Sequence, residues 1–192
     1  MAEAQTHLLH LGIAEQGKLH LLAGRYKESL RHFREALRMA ASAKAPEIFY
    51  RHYAQCVLEA LELAGDFEEI IAYCQEADAH YETIPHMNPM LKKDHGELLQ
   101  RLAIALLLSE QAEAASRTLE RACEIAGQGK LPLAETLRDW MKRGYSVPPT
   151  MLRQAQRRHR YFIVRDDAVE RSIARTLPPD QGGQAAQAAL LG

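Results

Sequence analysis

With 192 residues, 47% of them hydrophobic and 26% charged, and a net charge of −1, the chain falls in the ordinary globular class and is long enough for one proper core, or a small domain with an appendage. An aromatic share of only 6% and the lack of β-branched runs favour helices over sheets, so an all-α fold is expected. No apolar stretch approaches the roughly twenty residues a membrane span needs, and the start Met1-Ala2-Glu3-Ala4-Gln5-Thr6 lacks a basic region followed by an apolar one, so the expectation is a cytoplasmic protein with no transmembrane segment.

In chain order, a first helix is expected from an N-cap at Thr6, with Leu8, Leu11, Ala14 or Glu15, Lys18 and Leu22 at helical spacing up to a stop at Gly24. Its neighbour runs from about Lys27 to Ala41, carrying Leu30, Phe33, Ala36, Leu37 and Ala40 as one apolar stripe. Pro46 then stands at a favourable first-turn position. A second pair is expected over about 47–64, with Phe49, Tyr53, Cys56, Val57, Ala60 and Leu61 on its face, and about 67–82, with Ile70, Ile71, Cys74, Ala77 and Tyr81. Pro85 and Pro89 interrupt helix, because each removes a donor and restricts the residue before it. A third pair follows over about 90–109 and 112–126, marked by Leu98, Leu99, Leu102, Ala103, Leu106 and Leu107 and then by Ala115, Leu119, Ala122 and Cys123.

Beyond Gly127-Gln128-Gly129 the chain changes character. Residues 1–129 hold 13 Lys and Arg against 19 Asp and Glu, a balance of −6, whereas residues 130–192 hold 11 against 6, a balance of +5. A helix from about Pro132 to Arg143 stops at Gly144. Pro148-Pro149-Thr150 then opens a long helix whose positions Leu152, Ala155, His159, Phe162, Val169, Ile173 and Leu177 recur every three or four residues. On it Arg153, Arg157, Arg158, Arg160 and Arg165 form a basic cluster interleaved with Tyr161 and Phe162. The turn-rich run from Pro178 to Gln184 reads as a flexible tail, with Ala185–Leu191 a candidate short docking helix. The division expected is therefore 1–129 as three helix pairs, 130–177 as a fourth pair or basic capping helices, and 178–192 as a tail.

Ala23-Gly24-Arg25-Tyr26-Lys27-Glu28-Ser29-Leu30 recurs as Ala64-Gly65-Asp66-Phe67-Glu68-Glu69-Ile70-Ile71, a helix stop, a polar and aromatic turn, and the opening of another helix. With Gly17, Phe33 and Ala36 in the first copy, Cys74 and Ala77 in the second, and Ala103, Ala115, Leu119 and Ala122 in the third, the pattern resembles the tetratricopeptide repeat in a long-helix form. The resemblance covers about residues 8–126 and implies a right-handed α-solenoid of antiparallel helix pairs with a C-terminal capping helix. It also implies a concave groove, lined by the first helix of each pair, that takes an extended peptide or a partner helix. Carried over, that groove comprises Lys18, Leu21 and Leu22, then His52, Gln55, Glu59 and Glu62, then Glu97, Gln100 and Ile104. Glu59, Glu62 and Glu97 would favour a ligand with an apolar face and some positive charge.

A protein-interaction module of the adaptor, chaperone or assembly-factor kind follows, with a protein or peptide partner. Self-association through the C-terminal helix is a further option. The alternatives are a regulatory sensor controlling transcription or an enzyme, and binding of nucleic acid or an anionic surface through the arginine cluster. Nucleic acid is not favoured, because five arginines fall short of a domain-wide basic surface. Catalysis is not expected either. The chain has no phosphate loop, nucleophile elbow or metal-ligand spacing. Cys56, Cys74 and Cys123 lack CxxC spacing and lie in apolar helical patterns, which suits buried thiols in a reducing compartment. The scattered His7, His10, His80 and His86 complete no ligand set, so neither cofactor nor metal is expected.

Overall fold

The computed structural model describes residues 2–178, with side chains from Leu9 onward. Eight α-helices follow one another: α1 (Ala2–Leu22), α2 (Tyr26–Ser42), α3 (Glu47–Ala64), α4 (Phe67–Glu82), α5 (Pro89–Leu108), α6 (Ala112–Ala126), α7 (Pro132–Lys142) and α8 (Pro149–Arg158). Beyond α8 the chain forms only two short 3-10 turns, Asp166–Ala168 and Arg171–Ile173. There is no strand among the described residues, and none of their helices is long and apolar enough to cross a membrane. The chain gathers into two compact units, Met1–Ala54 with Asp166–Gly192, and Gln55–Arg165.

In the first unit α1 packs on α2. The stop at Gly24 is real: its φ is 71°, a left-handed value that a residue without a Cβ adopts freely. It lets the Gly24 and Arg25 amides turn back to the Leu21 and His20 carbonyls at 3.0 and 2.9 Å. Gly17 admits Phe33, for a Cβ there would stand 2.8 Å from two atoms of the Phe33 ring. The Ser29 hydroxyl donates to the Gly17 carbonyl at 2.9 Å beside this contact. Ile13, Ala14, Ala36, Ala40 and Tyr53 form the core, with Phe49 and Leu177 packed on it. Hydroxyl and imidazole of Tyr53 and His10 meet at 2.7 Å, so the polar tip of the tyrosine is satisfied inside the core.

In the second unit α4 packs on α5, α5 on α6, α6 on α7 and α7 on α8. Asn88 caps α5 by accepting from the Leu91 amide at 2.9 Å, with Pro89 in the first turn where no amide is needed. The unbroken buried run from Leu98 to Leu106, apolar except for Gln100 and Arg101, makes α5 the central helix of this unit, buried on most sides. Gly65 repeats the Gly24 solution with φ 87°, whereas Glu110 takes the left-handed position before α6 with φ 61°. That substitution is why the third copy of the turn is hard to recognise. Cys56, Cys74 and Cys123 are buried free thiols, and burial pushes the Cys74 thiol up to about 12.

Two expectations are corrected here. Helix α1 starts at Ala2, four residues before the expected cap at Thr6, whose side chain, like those of His7 and Leu8, lies outside the described residues. The long C-terminal helix stops at Arg158. The His159 amide still closes on Ala155, but the Arg160 and Tyr161 amides turn back to Arg157 and Gln156, with Arg160 left-handed at φ 51°. Ile163-Val164, a β-branched pair, then runs outside any helix, with a bend at Ile163, because side chains elsewhere in the fold replace the backbone partners a helix would have supplied. The expected tail beyond 178 and docking helix at 185–191 lie outside the described residues.

Candidate functional site

The chain from His159 to Pro178 has little secondary structure of its own, and its polar backbone atoms must find partners elsewhere. It forms a strap. Residues up to Arg165 belong to the second unit and those from Asp166 to the first.

In the second unit two carboxylates of α3 hold the strap. Glu59 and Glu62 are 1% and 2% exposed, where an ionised carboxylate must be paired or hydrogen-bonded. Glu59 accepts from the Ile163 amide at 2.8 Å and from the Val164 amide at 3.3 and 3.4 Å. Glu62 accepts from Arg101 of α5 at 3.2 Å, from the Gln156 amide group of α8 at 2.6 Å and from the Tyr161 hydroxyl at 2.8 Å. The Arg101 guanidinium also lies over the Tyr161 ring, 4.8 Å from its centroid. One buried cation thus serves a carboxylate and an aromatic face together. Burial holds the Tyr161 phenol well above its ordinary range, against the opposing pull of Arg101.

For Glu59, burial raises the carboxyl from 4.5 to about 7, against the lowering effect of the Ile163 amide, Arg101 and the Val164 amide. A value raised in the folded state contributes stability that is present in full below the unfolded 4.5 and is lost as pH rises through about 7. Glu59→Gln removes the titration. The wild type is therefore expected to lose roughly 3 kcal/mol relative to that variant between about pH 4 and pH 8, since each tenfold change in proton affinity is worth ~1.4 kcal/mol. Urea denaturation of both proteins across that range measures it, and parallel stability curves would refute it. Burial lowers His20, His32 and His52 and opposes the trend in both proteins alike, so the comparison isolates Glu59.

In the first unit the same device recurs on α1. Glu15 and Lys18 pair at 2.7 Å and are nearly buried. The other Glu15 oxygen accepts from the Glu170 amide at 2.8 Å, and Lys18 reaches the Ala168 carbonyl at 3.4 Å. The Arg175 amide donates to the Gly12 carbonyl at 2.8 Å. A Cβ on Gly12 would fall on the Ile173 carbonyl and stand 2.9 Å from the Arg175 side chain. His32 completes the set. Its Nδ1 lies 2.7 Å from the Glu28 carbonyl and its Nε2 accepts from the Leu177 amide at 3.1 Å, an arrangement that requires the neutral ring protonated on Nδ1. Arg31 donates to the Pro178 carbonyl. Gly12→Val is expected to cost about 1–3 kcal/mol through overpacking and to speed amide exchange at Glu170, Arg175 and Leu177. Unchanged exchange at those amides would show that the glycine does not seat the strap.

No family model, curated protein or solved structure matches this chain.

The expected groove residues separate into three groups. Lys18, Glu59 and Glu62 touch the strap, as described. Gln100 instead accepts from the Ala134 amide at 3.0 Å and so caps α7, while Leu21 and Ile104 are core residues. Leu22 is exposed, His52 and Gln55 are half-buried, and Glu97 pairs with Lys93 on the outer face of α5. The open acidic surface expected around Glu59 and Glu62 is thus covered by the chain's own strap. The single basic helix expected from Arg153 to Arg165 is also corrected. Arg153, Arg157 and Arg158 lie on α8, Arg160 lies in the turn, and Arg165 lies on the strap. Arg153 stacks on Phe162 at 5.5 Å and so fastens the strap to α8, while Arg165 donates to the Phe162 carbonyl at 3.1 Å within the strap itself.

A second polar centre was not singled out from the sequence. Asp78 of α4 accepts from His95 of α5 at 2.6 Å and from both terminal nitrogens of Arg121 of α6 at 2.8 and 2.9 Å. Tyr81 stacks on the His95 ring at 4.6 Å. Burial raises the Asp78 carboxyl, but the hydrogen bonds from Arg121 and His95 outweigh it and hold it low. These residues tie α4, α5 and α6 together. The signal available in the sequence was His95 beside Gly96, just before the apolar run of α5; a Cβ on Gly96 would meet Ala126 at 2.7 Å.

Proposed function

We propose that this protein is an interaction module, a right-handed stack of tetratricopeptide-like antiparallel helix pairs that binds an extended polypeptide on the first helices of its pairs. The observation that carries this reading is the use of buried helix side chains to receive main-chain amides: Glu15 takes that of Glu170, and Glu59 takes those of Ile163 and Val164. Hydrogen bonds to main chain supply affinity for an extended segment with little dependence on its sequence, while pockets for alternate side chains supply selectivity. An adaptor, chaperone or assembly factor uses such a surface, whereas an enzyme needs reacting groups gathered around a cleft. The polar clusters of both units are engaged in holding helices and strap.

A peptide-display selection against the full chain, counter-selected with a Glu15→Gln/Glu59→Gln variant, tests the reading. Enrichment of extended sequences that bind the wild type and lose at least tenfold in affinity to the variant is the expected result. Failure to enrich any peptide, or enrichment indifferent to the two substitutions, would overturn it.

A further inference from the structure

We propose that residues 161–164 are a built-in competitor, and that the α3–α5 surface they cover accepts an external extended peptide in which a tyrosine is followed two and three residues later by aliphatic residues with free amides. This deepens the interaction-module reading and rests on it. The site's chemistry defines the ligand. Glu62 and Arg101 together read a phenol, one by accepting a hydrogen bond from its hydroxyl at 2.8 Å and the other by stacking on the ring at 4.8 Å. Glu59 reads two successive amides two and three residues further on. None of these contacts needs the ligand to belong to the same chain.

Three features lower the free energy with which the strap holds its own site. First, it leaves α8 through a left-handed Arg160, φ 51°, a conformation that costs a residue with a Cβ on the order of 1–2 kcal/mol. Secondly, no glycine or proline occurs from Met151 to Leu177, and Leu152, Ala155, His159, Phe162, Val169, Ile173 and Leu177 keep helical spacing, so a released strap can continue α8 and recover the backbone hydrogen bonds it gives up. Thirdly, the strap desolvates Glu59, whose charged form is disfavoured under it. An external peptide that binds while the strap refolds as helix escapes the first cost, and the released strap exchanges its amide bonds to Glu59 for helical ones. The strap's tethering remains the opposing advantage, and it sets the competitor's strength.

A fluorescein-labelled peptide of residues 159–167 (His-Arg-Tyr-Phe-Ile-Val-Arg-Asp-Asp) tests this by anisotropy against two full-length proteins. One is the wild type. The other is Val164→Pro, which removes an amide that Glu59 accepts while leaving every groove residue in place. The expected result is binding to both, roughly 10–100-fold weaker to the wild type because its strap competes at high effective concentration. The affinity should fall at least fivefold when the peptide's Tyr161 is replaced by Phe, and at least tenfold when Glu59 of the protein is replaced by Gln. Binding to Val164→Pro alone would overturn displacement by an external ligand and leave the interaction-module reading standing. Binding to neither protein, with amide exchange showing the 161–165 segment loosened in Val164→Pro, would overturn both. If Val164→Pro does not fold, Tyr161→Ala serves as the loosened protein with the same outcomes.

Discussion

Arg101→Ala should destabilise the protein by about 3–5 kcal/mol, the cost of leaving a buried carboxylate without its counter-charge. Arg101 is 4% exposed and Glu62 2% exposed, so water cannot replace the lost partner at either residue. The substitution also removes the cation over the Tyr161 ring, the contact through which α5 touches the strap. Urea denaturation of the full chain gives the magnitude. A loss below about 1 kcal/mol would mean that Glu62 finds other compensation and that the pair does not hold α3 and α5 together. The double variant Glu62→Gln/Arg101→Met separates charge from packing. If the single loss is an uncompensated charge, the double variant should recover more than half of it, because Gln156 and Tyr161 still find an acceptor in the neutral carboxamide oxygen that Glu62→Gln introduces, while no ion remains buried.

The second large effect belongs to Phe33, which is fully buried and packed against the face of α1 that Gly17 leaves open. Phe33→Ala should cost about 3–5 kcal/mol, the transfer free energy of the ring plus the cavity it leaves. The reciprocal change, Gly17→Ala, places a Cβ 2.8 Å from the ring and should cost about 1–3 kcal/mol by overpacking. Because the two residues share one contact, Gly17→Ala/Phe33→Leu should lose less stability than Gly17→Ala and Phe33→Leu lose separately when summed, by at least about 0.5 kcal/mol on the scale of contacting pairs. Strict additivity in thermal or urea denaturation would show that α1 and α2 adjust independently and would remove this contact as the lock between them.

The Glu59 titration and the Gly12 substitution bear on the two halves of the strap separately. Glu59→Gln alters the anchor of Ile163 and Val164, while Gly12→Val disturbs the segment around Ile173 and Arg175. Amide exchange resolved by residue distinguishes a strap that loosens locally from one that loosens along its length, because each substitution has a near and a far set of amides to report it.

Helix positions were legible in the sequence wherever local chemistry decides them. Glycine at Gly24 and Gly65 marks a left-handed stop, apolar residues at three- and four-residue spacing mark the packed stripe of α2, and Pro132 and Gly144 bracket α7; all act over a few residues of chain. Gly17 and Phe33 were legible as a small and a large residue on successive helices, and only the fold shows that they meet. Periodicity also misleads. The spacing from Leu152 to Leu177 is helical, and by itself it cannot register that Tyr161 and the Ile163 and Val164 amides find buried acceptors about one hundred residues earlier in the chain.

The sequence by itself determined that the chain is helical, where most of its helices start and stop, and which apolar face most of them bury; on α1 the expected Leu22 is exposed, while Ile13 and Leu21 are buried. Only the tertiary structure decided the fate of the charged residues inside those faces. Glu15, Glu59, Glu62 and Arg101 lie in otherwise apolar helical stretches, and a charge there must be neutralised, paired or hydrogen-bonded once water is removed. The sequence shows that such a need exists, but its partners at Glu170, Ile163 and Tyr161 are brought close only when the fold is complete. Local propensity acts through neighbours in the chain, whereas a buried charge is settled by neighbours in space, and that is why the strap could be found only in three dimensions.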